Sequence, residues 1–379
     1  MVASEEMLTP GMAQENPALW DLFTGKEEYD PAVVDRFGRV PPNACGSEDF
    51  FAPLVSQYLI ERGCEFEYPD GQPFAVCLTH DIDHIYQSLL EKGLTAAAAI
   101  RDGRFQSALQ TIRQIQNRRH PWCNLRAIAE IEERYGARSS FFILALDPAD
   151  QDYTYDASDL ESDLGEIADE GWGVGLHGGY LASNGLEGLL NDKRRLEKIL
   201  GKPVLGYRAH NLRFKVPETW ELLAKAGFRY DTTYGHAGRA GFRNGMCHPF
   251  RPFNLNTGRF VDIMELPLAI MDRTCLTYLQ LDARTTYDLA VRLIDTVAAC
   301  RGVLTILWHN TTMDGALVGA YEKILQHCSE RGAWITSGEE ICSWWQKQGT
   351  CPSPQKEQSS TPRRTYSPQP PVHSGAAGQ

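Results

Sequence analysis

An apolar run that ends in a cluster of ionisable side chains constrains this chain more than any other feature. Phe74, Ala75, Val76, Cys77 and Leu78 lead directly into Thr79-His80-Asp81-Ile82-Asp83-His84. Short apolar runs of this kind mark strands buried on both faces of a parallel sheet. Such sheets bind their ligands at the carboxyl ends of the strands. Two carboxylates and two imidazoles placed there are costly to desolvate unless a metal or a proton transfer uses them. Side chains alternate along an extended chain, so Thr79, Asp81 and Asp83 share one face, and His80, Ile82 and His84 the other. Asp81 and Asp83 then converge, and a cation between or beside them reconciles the two charges. The plainer alternative is a strand followed by a helix N-cap, with one aspartate capping and the other exposed.

The rest of the chain supplies the partners such a strand needs. Strand patterns at 139–146, 172–176, 203–208, 228–231, 260–266, 302–308 and 333–336 alternate with helical patterns at 160–170, 185–200, 217–226, 286–300 and 320–331. That order implies an α/β fold with a parallel sheet or barrel. Further helices are expected at 49–62, 85–119 and 125–135, with helical potential around 31–37. The predicted organisation is an N-terminal polar extension at 1–45, one barrel domain at 46–348, and a disordered tail at 349–379 rich in Ser, Pro, Gln and Gly.

A formal net charge of -12 argues against a nucleic-acid or anionic-membrane surface. No apolar stretch is long enough to span a bilayer, and the first residues lack the pattern of a secretory signal. The ten cysteines are scattered and form no Cys-x-x-Cys pair, which suits a reducing cytoplasm.

Polar residues recur just after the predicted strands: Asp81 and Asp83, His177, Arg208 with His210, Asp231, and His309. Each alone has a dull explanation as a turn, rim or cap residue. In a barrel, however, the carboxyl ends of all strands meet at one face. Together these residues supply metal ligands, a base, an acid and a guanidinium at one rim.

At these residues the chain resembles the polysaccharide deacetylases, carbohydrate esterase family 4, also called the NodB homology domain. The matching pieces are LTHDID at 78–83, GLHGGY at 175–180, GYRAHNLRF at 206–214, YDTTYG at 230–235 and ILWHN at 306–310. The resemblance implies a distorted, incomplete (β/α)7-8 barrel with helical N-terminal and insertion elements. It further implies a divalent metal, zinc first with cobalt or nickel as alternatives, and removal of an acetyl group from an N- or O-acetylated sugar or polysaccharide. By position, Asp81 matches the general base, Asp83 and His177 metal ligands, Arg208 the arginine that holds the base, Asp231 its support, and His309 the catalytic acid. The backbone N–H of Asn211 falls near the oxyanion donor, and Tyr180, Arg213 and Trp308 are candidate substrate contacts.

The chain departs from the family at Leu181, which stands where a second metal-binding histidine is usual. A catalytic zinc wants three protein ligands and water. His210, His84 or His80 could replace the missing ligand, and the position of His210 after a strand end favours it. His236 and His248 lie in a long loop and read as ordinary loop residues. Arg243 and Arg251, in the same loop, could contact a phosphate or carboxylate of a substrate or be tied to local carbonyls. Two other readings remain: a non-catalytic glycan-binding protein, which Leu181 favours, and a C–N hydrolase of small non-sugar amides. Protein partners are not indicated.

Overall fold

The computed structural model describes residues 7–44, 49–86, 123–313 and 315–348, with isolated positions at 93, 97, 100, 101 and 109. The predicted helix at 85–119 and the tail at 349–379 lie essentially outside the described residues.

Eleven strands are present among the described residues: β1 (Ala75–Ile82), β2 (Ser140–Ile143), β3 (Gly173–Gly178), β4 (Gly206–Ala209), β5 (Tyr230–Asp231), β6 (Phe253–Asn254), β7 (Arg259–Phe260), β8 (Met264–Glu265), β9 (Leu268–Met271), β10 (Val303–Leu307) and β11 (Trp334–Thr336). The main sheet runs β8-β5-β4-β3-β2-β1-β10-β9, every pairing parallel. Its two ends belong to one stretch of chain. β8 pairs β5, and only Leu266 and Pro267 separate it from β9, which pairs β10. The sheet therefore curls back on itself as a distorted barrel, with its ring interrupted at Leu266–Pro267. β1 pairs β10 along one edge, and on the other pairs β11 through Ala75–Cys77 and β2 through Thr79–Ile82. β11, the ninth strand of the sheet, is thus wedged into the bottom of the ring. β6 and β7 form a separate antiparallel hairpin.

Every residue of β1 is buried, as expected of a strand covered on both faces. The predicted alternation holds. Thr79 points to the barrel axis, where its hydroxyl accepts from Arg208 Nη2 at 2.8 Å. Phe74, Val76 and Leu78 face outward and pack in a core with Leu293 and Ile294 of the helix Ala283–Ala299 and with Tyr321 and Ile324 of the helix Gly315–Glu330. The inner layer is so tight that a side chain on β3 or β4 would collide with its neighbour. A Cβ on Gly175 would lie 2.4 Å from the Phe142 ring, and one on Gly206 2.3 Å from Tyr230.

Two expectations are corrected. Residues 31–37 form no helix, because the Asp35 carboxylate accepts from the backbone N–H groups of Phe37 and Arg39 and folds the chain into a turn. Helices form instead at Pro10–Glu15 and Pro17–Thr24, and Trp20 and Phe23 of the second are buried in the main core. The strand expected at 260–266 divides into β7 and β8, and β9 was not anticipated.

His80 turns away from the barrel axis into a buried polar network. Its Nδ1 lies 2.7 Å from the Trp308 carbonyl and its Nε2 2.8 Å from Glu132. The fully buried Glu132 carboxylate also accepts from Ser139 Oγ, Trp172 Nε1 and Tyr321 Oη at 2.7–2.9 Å. Buried polar groups are tolerated only when satisfied, and removing one member strands the rest. Glu132→Ala is therefore expected to lower the unfolding free energy by about 3–5 kcal/mol, read by urea denaturation. A loss below about 1 kcal/mol would show that the network holds nothing together.

Candidate active site and metal centre

The curled sheet delivers its polar residues to one mouth. Asp81 is the penultimate residue of β1 and Asp83 the first beyond it, His177 stands in β3, Arg208 in β4, His210 in the turn after it, and His309 after β10. A cavity of about 320 Å³ opens there, with Asp81, Asp83, His177, His210, Asn211 and His309 in its wall.

His177 Nε2 lies 3.3 Å from Asp83 Oδ1 and 3.5 Å from Asp81 Oδ2. Its Nδ1 is 3.1 Å from the Arg208 carbonyl, an acceptor, so the ring proton sits on Nδ1 and the Nε2 lone pair faces the carboxylates. Neither His177 Nε2 nor Asp83 Oδ1 has a hydrogen-bond partner, although both are buried. Orphaned lone pairs pointing at one another are the arrangement a cation resolves. His210 completes the set: its Nε2 is 3.9 Å from Asp83 Oδ1, and one donor atom from each of Asp83, His177 and His210 falls within 4.8 Å of the others. Two nitrogens and a carboxylate oxygen suit zinc and leave room for a further ligand.

The alternatives for the third donor are not brought here. His80 belongs to the Glu132 network and His84 is exposed. Leu181 is 41% exposed, and its backbone N–H donates to Asp150 at the start of the helix Tyr180–Asn184. His210 reaches the site through a turn in which Asn211 and Leu212 take positive φ of 58° and 52°. That conformation is unfavourable for leucine. It is held where Arg39 Nη1 donates to the Asn211 carbonyl at 2.8 Å. Asp152 meets His210 Nδ1 at 3.2 Å and also pairs with Arg213, and such a carboxylate behind an imidazole orients it as a ligand. Burial alone would lower His210, but Asp152 and Asp83 outweigh it and raise the imidazole above its ordinary value. Burial alone would raise Asp83, yet His309, His210 and His177 hold it well below the usual carboxylate range.

Arg208 lies wholly inside the barrel. It donates to Thr79 and Thr232 at 2.8 Å, and Nη1 faces Asp81 Oδ1 at 4.0 Å, an ion pair without a direct hydrogen bond. Asp231 sits deeper and makes no ion pair with Arg208. It accepts from Thr233 Oγ1 at 2.5 Å, and that hydroxyl accepts from the Ala209 N–H, so Asp231 fixes the end of β4. Burial pushes Asp231 up to about 6, and burial together with the adjacent Asp231 carboxylate raises Glu265 well above its ordinary value.

Asp272, directly after β9, is a site residue that the sequence reading missed. Its Oδ1 lies 2.6 Å from His309 Nδ1, its Oδ2 accepts the His309 N–H at 2.9 Å, and Thr312 donates to the same oxygen. His309 Nε2 is left facing the cavity, 3.6 Å from Asp83 Oδ2. Burial alone would lower His309, but the Asp272 and Asp83 carboxylates outweigh it and lift the imidazole to about 9.

Other predicted residues lie elsewhere. Trp308 is fully buried against Tyr321 and is not a substrate contact. His248 stacks on Phe66 and bonds Ser56, and His236 is buried edge-on to Phe50. Arg243 is bound to Glu28, and Arg251 to the Val261 carbonyl and Asp262, so neither serves the cavity. Tyr180 and Arg213 border a neighbouring cavity.

Neither a protein-family model nor a curated protein matches the chain. Solved structures do. A protein assigned as a polysaccharide deacetylase from Mycobacterium smegmatis superposes with a TM-score of 0.51 at 19% identity, over 81% of this chain and 98% of that one. A second so assigned, from Pseudomonas aeruginosa PAO1, gives 0.52 at 14% identity, over 84% and 98%. The PuuE allantoinase gives 0.53 at 15% identity, over 76% and 96%. The chain therefore has the polysaccharide-deacetylase fold, as its motifs implied.

Because the folded-state value of His309 exceeds its ordinary 6.5, the stabilisation from its ion pairs is complete below about pH 6.5 and fades as pH rises through about 9. In metal-free protein, Asp272→Asn should move the His309 titration down by about one unit or more, read by NMR of the ring nitrogens. An unmoved titration would mean that Asp272 does not set the protonation of His309.

Proposed function

We propose that this chain is a divergent polysaccharide deacetylase: a metal-dependent hydrolase that removes an acetyl group from an N- or O-acetylated sugar. The observation that carries the proposal is the convergence of the unpartnered Asp83 Oδ1 and His177 Nε2 with His210 Nε2, between a carboxylate, Asp81, and a tethered imidazole, His309. Those three residues would hold a divalent ion, zinc by the nature of the donors, with cobalt or nickel also compatible. When bound there, the ion would polarise the acyl oxygen and acidify water.

The chain's own side chains divide the proton transfers. Asp81 accepts the proton of the attacking water, and Arg208 beneath it fixes the carboxylate from the barrel interior. The Asn211 N–H, in the rigid left-handed turn, is the candidate backbone donor to the developing oxyanion. His309 gives its Nε2 proton to the departing nitrogen or oxygen while Asp272 holds the ring at Nδ1. Acetate and a free amine or alcohol result. The expected substrates are acetylated sugars or polysaccharides.

A second reading, hydrolysis of a small cyclic amide, is supported by the fold shared with the allantoinase and by the small cavity. A non-catalytic glycan binder would keep neither the base nor the tethered acid.

The purified chain should bind about one zinc per molecule. It should release acetate from an N-acetylated oligosaccharide and leave allantoin intact. His210→Ala should weaken zinc binding by about 100-fold or more. Asp81→Asn should keep the metal and lose at least about 100-fold in turnover. Zinc retained in His210→Ala would remove that residue from the ligand set, and full turnover in Asp81→Asn would remove the base.

A further inference from the structure

Beside the metal site lies a second cavity of about 520 Å³ that the proposed chemistry does not use. Arg36 and Phe37 line both cavities, so the two adjoin. Its wall carries three cationic side chains, Arg36, Arg213 and Lys215, and no carboxylate. In a chain of formal net charge -12, that is a local reversal of sign. Arg213 is neutralised by Asp152, but Arg36 and Lys215 are exposed, and neither has a carboxylate partner among the described residues. Arg36 lies over the Phe37 ring at 4.7 Å, which holds the guanidinium at the junction of the cavities. Tyr180 adds an exposed aromatic ring to the same wall, and Ser183 and Asn184 add neutral polar groups. Arg273 extends the cationic rim on the metal-site side.

Unpaired cations in a concave wall without acids favour an anion, and the neighbouring aromatic rings favour the apolar face of a sugar. We infer that the second cavity is a subsite for an anionic saccharide unit, with Arg36 and Lys215 binding its carboxylate or phosphate while the acetylated unit occupies the metal site. The inference rests on the deacetylase reading for the second half of that statement only, because anion binding needs no turnover. A uronic acid and a sugar phosphate present the same chemistry, and the experiment tells them apart.

Three probes are titrated calorimetrically into the full-length chain: N-acetylglucosamine phosphate, a glucuronosyl-N-acetylglucosamine disaccharide, and neutral diacetylchitobiose. At least one anionic probe should bind about tenfold or more tightly than the neutral one, and higher salt should shrink the difference. Whichever anion gains more identifies the source. In the double variant Arg36→Ala, Lys215→Ala, both changes being at exposed side chains, the preference should fall to near unity. Equal binding of neutral and anionic probes by the unaltered chain would overturn the inference, as would a preference that survives the double variant. Anion preference without acetate release would uphold the subsite and defeat the deacetylase reading.

Discussion

Placing Asp81 and Asp83 at the carboxyl end of a buried strand is the constraint on which the rest of this structure depends. Neither carboxylate can be desolvated there alone, and other strands of the ring answer with positive or proton-bearing groups. β3 brings His177, β4 and its following turn bring Arg208 and His210, and β10 brings His309. Asp83 stands between 3.3 and 3.9 Å from imidazole nitrogens of His177, His210 and His309. The parallel ring is what makes this possible, since only a curled sheet turns the ends of strands distant in sequence toward one point.

A second layer of side chains keeps the first from relaxing. Thr79 and Thr232 grip Arg208 from two strands, Thr233 links Asp231 to the backbone of Ala209, and Asp272 holds His309 by both ring and main chain. These groups carry little chemistry themselves. They restrict the rotamers of the groups that do, which is the ordinary requirement of a preorganised site.

Much of this was legible in the sequence, because strand ends and alternation are local signals. The apolar run before Asp81 placed β1 and its inner face, and the runs before His177, Arg208 and His309 did the same for theirs. Asp272 carries the same signature, Leu268-Ala269-Ile270-Met271 followed by an acid, but Pro267 divides that run from the one before it and hid the strand. Trp308 was misplaced for the opposite reason. Adjacency to His309 suggested the cavity, whereas the residue turns outward into the core. His210 was favoured as the third donor from its place after a strand end, and the structure brings it there; the left-handed turn through Asn211 and Leu212 that presents it could not be read, because leucine gives no local hint of it. Arg36, Phe37 and Arg39 were equally invisible, since their part in the site is a contact across some 170 positions, as in the bond from Arg39 to Asn211.

Placing the proposed third ligand at His210, after a strand rather than on a helix, has a consequence for the shape of the molecule. The helix Tyr180–Asn184 no longer has to aim a side chain at the ion, and its residues Tyr180, Ala182, Ser183 and Asn184 instead face the adjoining cavity. A ligand set gathered on the strand side, as proposed, would leave that turn of polypeptide to serve as a groove wall. On the proposed function, leucine at position 181 takes nothing from the site and leaves a longer wall along which an extended substrate would lie.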